Sequence, residues 1–158
     1  MRPIYETEGD RQRQLSVSEI MSVFLGCRLV PMPPMSSIDY ITQNLDGVAT
    51  GLMEIKVRSY TPEEMDQRGG FFLSEKKLIS IYGTTQALNL DFHLVVKAEK
   101  TILHLLLKHD KDWPRLERMT GGRFDRGDKK DVELLCLFPT TMFTRIEDDP
   151  ASLPARSP

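Results

Sequence analysis

The run Leu52-Met53-Glu54-Ile55-Lys56-Val57-Arg58 decides how this chain is read. Charged and apolar residues alternate through it, which is the period of a β-strand. Glu54, Lys56 and Arg58 fall on one face, and Met53, Ile55 and Val57 on the other. Extended backwards, the pattern predicts a strand over 49–58. An acid and an amine two residues apart stand side by side on such a face. Fifteen residues before Glu54 comes a second acid, Asp39. Two acids and an amine are the minimal set for holding a divalent cation and activating water against a phosphodiester.

An acid, any residue and a lysine recur three times, as Glu54-Ile55-Lys56, Glu75-Lys76-Lys77 and Asp128-Lys129-Lys130. Context separates them. The second falls at a predicted helix start, where residues two apart do not face each other. The third lies in a Gly-flanked polar stretch. The first alone lies on an alternating strand that follows another strand bearing an acid. Read alone, Glu54 and Lys56 also suit a solvent-facing ion pair on a half-exposed strand. Asp39 weighs against that reading, because Asp is disfavoured inside a strand and a cation shared with Glu54 would give it a partner.

Around this hairpin the chain alternates helix and strand. Helical spacing of Leu15, Ser18, Met21 and Leu25, widened by Ile20, Val23 and Phe24, predicts a helix over 9–25, ended by Gly26. Cys27 to Pro34 reads as a short extended segment running into a proline-rich turn. Strand is predicted at 36–42, with turn chemistry at Asn44, Asp46 and Gly47 before the site strand. Residues 59–70 read as an exposed loop carrying Arg68. Ser74 caps a helix running to about 88, with Leu78, Ile81, Tyr82, Thr85 and Leu88 facing the core. Two nearly continuous apolar runs, 92–98 and 101–107, predict a hairpin buried on both faces. A last strand is expected at 132–138.

Length and composition fit one domain over 1–146, followed by a disordered tail at 147–158. The chain has 158 residues, 40% of them hydrophobic and 28% charged, with a net charge of −2. That balance argues against a protein coating nucleic acid without specificity, though a local basic cleft is allowed. No apolar run reaches membrane-spanning length, so no membrane partner is expected. Cys27 and Cys136 lack zinc-type spacing and read as buried thiols of a reducing compartment, hence a cytoplasmic setting, or the host cytoplasm for a phage product. His93, His104 and His109 show no ligand spacing with an acid, and the first two read as structural. Arg123, Arg126, Lys129 and Lys130 form a basic stretch tempered by Asp125, Asp128 and Asp131.

With Ile38-Asp39, Glu54-Ile55-Lys56 and Lys77 in the following helix, the chain resembles the PD-(D/E)xK nuclease superfamily, closest to small phage or prokaryotic resolvase and VRR-nuclease-like members. Ile38 stands where the family name has proline. The resemblance covers about residues 5–107. It implies an α/β (α+β) restriction-endonuclease-like core, a single central mixed β-sheet flanked by helices. The expected order is α-β-β-β-α-β-β with an extra C-terminal strand. It implies that Asp39, Glu54 and the Ile55 carbonyl hold Mg²⁺ or Mn²⁺, that Lys56 assists the attacking water, and that the products carry 5′-phosphates. Arg58 and Lys77 become nucleic-acid contacts. The family often adds an acid or Gln from the first helix, for which Glu6, Asp10, Gln14 and Glu19 all remain open.

The expected activity is metal-dependent hydrolysis of DNA, rather than RNA, with selectivity for branched structures as one form of it. A catalytically inactive nuclease-fold module that binds nucleic acid or protein is the alternative, and a regulator acting through its sheet edge is a third. A homodimer would enlarge the small DNA-binding surface of one acidic domain.

Overall fold

A computed structural model describes residues 7–122 and 132–147. Helix α1 (Glu8–Leu25) starts in a capping box, with Thr7 accepting from the Asp10 amide and Asp10 accepting from the Thr7 amide. It ends at Gly26 in the left-handed conformation. Strand β1 (Arg28–Pro31) pairs antiparallel with β2 (Tyr40–Gln43), and β2 pairs antiparallel with β3 (Ala49–Arg58). The β2–β3 turn is tied by Asn44, whose side-chain oxygen accepts from the amides of Asp46 and Val48.

The chain then departs from the expected exposed loop. Residues 62–67 form a short helix, α2 (Pro62–Gln67), capped by Thr61, and 71–74 form strand β4 (Phe71–Ser74). Burial is the reason: Met65 is fully buried and Phe71 and Leu73 nearly so, which a solvated loop would not allow. Gly70 makes the turn into β4 feasible. Its φ is 140°, and a Cβ there would lie 2.0 Å from the Phe138 carbonyl oxygen. Helix α3 (Glu75–Leu88) follows without a break, since Ser74 both ends β4 and caps α3.

Strands β5 (Asp91–Ala98) and β6 (Thr101–Leu107) form the expected hairpin, with Glu99 left-handed in the turn. The central sheet has the order β1-β2-β3-β5-β6-β9, the last strand being β9 (Thr144–Glu147). It is mixed, because β3 and β5 run parallel while its other pairs are antiparallel. The sheet is flanked by helices, α1 against one face through Val17, Ile20 and Met21, and α3 against the other through Ile81. This is the mixed α+β, restriction-endonuclease-like architecture expected.

Three details are corrected. First, the strand at 132–138, β8 (Val132–Phe138), does not join the central sheet. It pairs with β4 and with β7 (Glu117–Gly122) in a separate three-stranded sheet, so the described residues form two sheets rather than one. Second, β2 begins at Tyr40 rather than 36. Third, the buried stripes of both helices are narrower than the spacing suggested: Leu15, Val23, Tyr82 and Leu88 are exposed. The basic stretch at Arg123–Lys130 and the tail from 148 lie outside the described residues, while Glu147 belongs to β9.

Candidate active site

The site strand is buried on both faces. Leu52 packs toward α3, and Met53 and Ile55 toward α1. At Gly51 a Cβ would lie 2.9 Å from both the Asp91 carbonyl oxygen and the Thr42 hydroxyl, so only glycine lets the neighbouring strands close there. Three residues on, Glu54 has no solvent exposure. The solvent-facing ion pair is thereby excluded.

Glu54 is met by two amines from different elements. Lys56, two residues along the same face, places Nζ 2.5 Å from Glu54 Oε1. Lys77, one turn into α3, also pairs with Oε1. Both side chains keep about a quarter of their surface exposed, 27% for Lys56 and 25% for Lys77. The position of Lys77 follows from the β4–α3 junction: Ser74 accepts from the Lys77 amide and donates to Glu133 on β8. Glu75 pairs with Arg118 on β7. The small sheet therefore anchors the start of the helix that aims Lys77.

Asp39 reaches the same place from the segment before β2. Its Oδ2 accepts from the Ile55 amide at 2.8 Å, at the point where β2 no longer covers β3. Burial, and then the nearby Glu54 carboxylate, push its pKa up from 3.8 to about 6, although Lys56 and Lys77 pull it down. Asp39, Glu54, Lys56 and Lys77 thus converge, and Ile55 enters through its amide.

The described first-helix candidates fall in different places. Asp10 is used in the capping box and in an ion pair with Arg13, and Glu19 is exposed. Glu6 lies outside the described residues. Gln14 lines a cleft of about 270 Å³ that also contains Asp39, with Arg11, Pro33 and Ile38 among the other residues of its wall. A larger cavity of about 520 Å³, beside His109 and Trp113, contains none of the site residues. His109 pairs with one acid, its Nδ1 lying 2.8 Å from Asp91.

A divalent cation can be tested against this donor set. Among the described residues Glu54 Oε2, a buried carboxylate oxygen, has no hydrogen-bond partner, and such an atom is costly unless something compensates it. Asp39 lies close enough to feel the same acid. Among the described residues no group of three His, Cys, Asp or Glu side chains gathers to hold a metal, so any cage would be sparse. A sparse site of two carboxylates suits Mg²⁺ or Mn²⁺, which keep several waters, and does not suit zinc. The residues fit.

A central mixed sheet between helices, with an Asp before its second strand and Glu-x-Lys on its third, defines the PD-(D/E)xK class of nuclease. Residues 1–146 match the model of a family described as phage putative PDDEXK endonuclease, and the chain belongs to that family. No curated protein and no solved structure matches it. Membership makes the chain a member of a nuclease family, and such a family implies a nucleic-acid substrate. Among the described residues no helix is long and apolar enough to cross a membrane.

Proposed function

We propose that this protein is a divalent-metal-dependent deoxyribonuclease whose site is Asp39, Glu54 and Lys56. The observation that carries the proposal is the unpartnered Oε2 of a fully buried Glu54 beside a second carboxylate. Asp39 and Glu54 would hold Mg²⁺ or Mn²⁺, with the Ile55 carbonyl as the backbone contributor and Gln14 as the first-helix residue beside them. When bound, the cation would supply Lewis-acid polarisation of the phosphate and activation of water. Lys56 and Lys77, each partly exposed, offer ammonium donors to charge developing on the phosphate oxygens. Arg58, exposed further along the same face, would meet the nucleic-acid backbone.

Plasmid and branched DNA incubated with Mg²⁺, Mn²⁺ or EDTA provide the test. Cleavage with either metal, abolished by EDTA and by Glu54→Gln or Lys56→Ala, is the expected result. Retained cleavage in either variant would remove the site assignment.

A second reading is a nuclease-fold module that binds without cleaving. It draws on the placement of both ammoniums on one oxygen of Glu54, a closed arrangement that needs no substrate. It predicts DNA binding with no cleavage under any metal, and no rise in melting temperature on adding Mn²⁺.

A further inference from the structure

The charged face of β3 continues past Lys56 to Arg58, whose Cα lies roughly 7 Å further on at about 3.3 Å per residue. There the chain turns into α2 and β4, and this stretch carries the rings that receive it. The Arg58 guanidinium carbon lies 5.6 Å from the centre of the Phe71 ring. Arg68, the residue that ends α2, places its guanidinium 4.9 Å above the Tyr60 ring. The Tyr60 hydroxyl feels both charges: burial raises its pKa, and Arg58 and Arg68 both pull it back. Two guanidiniums from separate segments thus converge on two aromatic rings beside the candidate site.

A guanidinium lying on a ring is held by its flat face, which leaves the N–H donors at its edge available. Arg58 directs one donor to the Val57 carbonyl at 3.1 Å and also hydrogen-bonds the Tyr60 hydroxyl, and the five donors of a guanidinium leave others in the same plane. The acids of α2 are turned elsewhere. Glu63 pairs with Arg145, and Glu64 accepts from Thr61. Among the described residues no ion pair engages Arg58 or Arg68. Two exposed, ring-oriented cations without a carboxylate suit an anion from outside the chain. The offset of Arg58 from Lys56 along the strand matches the spacing to a neighbouring phosphate, and Arg68 joins Arg58 through the Tyr60 they share.

We propose that Arg58 and Arg68, oriented by Phe71 and Tyr60, form a backbone-phosphate subsite for the nucleotide adjacent to the scissile bond. Its place beside that bond rests on the nuclease reading above, and its binding of a nucleic-acid strand is tested without cleavage.

The experiment is anisotropy titration of labelled single-stranded and duplex oligonucleotides in EDTA over a salt series. It uses the full chain, Arg58→Ala, Arg68→Ala, Arg68→Lys, and Arg28→Ala as a control on the far edge strand. Removing one side chain that neutralises a phosphate should shrink the slope of log K against log salt by about 0.9 on duplex or about 0.7 on single strands. Arg58→Ala and Arg68→Ala should each show that reduction, and Arg28→Ala should not. Arg68→Lys should keep the slope while binding more weakly, because charge remains and the fork is gone. It also serves where Arg68→Ala fails to fold. Wild-type slope in Arg68→Ala, or no DNA binding by the parent chain, would overturn the subsite. Reduced slopes as expected in a protein that cleaves nothing would keep the subsite and remove the nuclease reading.

Discussion

The two faces of the central sheet at β3, β5 and β6 bury polar side chains in opposite ways. Toward α3, Glu54 is paired on Oε1 with two ammoniums and left unpartnered on Oε2. Toward α1, His93 Nδ1 and His104 Nε2 are 2.9 Å apart, and the rings stack at 5.2 Å between centres. Burial pushes both imidazoles down to about 4, helped at His93 by the neighbouring His104. At neutral pH that pair is uncharged, its two facing nitrogens satisfy each other, and Phe24 of α1 packs edge-on against His104. Both are buried polar clusters in the same sheet. Burial therefore does not mark a site, and neither does one unsatisfied atom, since Thr140 Oγ1 is also buried without a partner; what sets Glu54 apart is a free carboxylate oxygen beside a second acid. The histidine pair closes on itself, whereas the carboxylate cluster leaves acceptor capacity beside another acid.

The largest effect that would sharpen this contrast is on cleavage. Glu54→Gln should lower metal-dependent cleavage by at least about 10²–10³-fold, on the scale of losing one preorganised electrostatic group. His104→Gln should leave cleavage at neutral pH within a few fold, measured in the same assay on protein checked for folding.

Next comes stability. Lys77→Met removes one of two partners from a fully buried carboxylate and should cost about 1–3 kcal/mol in denaturant unfolding without metal. Added Mn²⁺ should recover part of that deficit, since a cation compensates the same group. Gly51→Ala should cost a similar amount, about 1–3 kcal/mol as for overpacking, because the clash is with backbone and an adjacent hydroxyl.

The pH dependence of metal-free protein separates the two faces by sign. The histidines bind protons more weakly folded than unfolded, so their contribution is complete above 6.5 and is lost as pH falls from 6.5 toward 4. Asp39 runs the other way. Its folded pKa is raised to about 6 from 3.8, so its proton-linked stability is complete below 3.8 and lost as pH rises through 6. With two histidines against one acid, the melting temperature should fall on acidification from 6.5 to 4. Replacing His93 and His104 together by Gln should flatten or reverse that slope. Asp39→Asn should steepen it. A slope unchanged in both variants would show that neither face titrates as described. The smallest effect concerns metal affinity. Protons compete for Asp39, so Mn²⁺ binding should weaken by at most about tenfold per pH unit below 6.

Local alternation made β3 legible, and with it the face shared by Glu54, Lys56 and Arg58. The capped helices and the 92–107 hairpin were legible for the same reason, since apolar period and turn residues act over short range. Long-range pairing was not. β7 carries Arg118, Thr120 and two glycines, a poor strand signal, and forms because β8 offers it an edge. The separation of β8 from the central sheet depends on β4. Its signal, Phe71-Phe72-Leu73 directly after two glycines, was present but easily absorbed into the polar stretch before it. At the site, sequence supplied Asp39, Glu54, Lys56 and Lys77. It could not tell that Lys77 would pair with Glu54, because that meeting is set by how β8 and β7 anchor α3. Nor could it tell that Gln14, among the four helix candidates, lines a cleft with Asp39. That depends on which side of α1 meets the proline-lined cleft.

The central claim is that Asp39 and Glu54 together hold one divalent cation. A crystal of the wild-type chain soaked in Mn²⁺, measured for anomalous scattering, tests it most directly. The account predicts a single strong peak between the Asp39 and Glu54 carboxylates, absent from Glu54→Gln crystals treated alike. Clear density for both carboxylates with no peak between them, Lys56 and Lys77 still closed on Glu54, would contradict it.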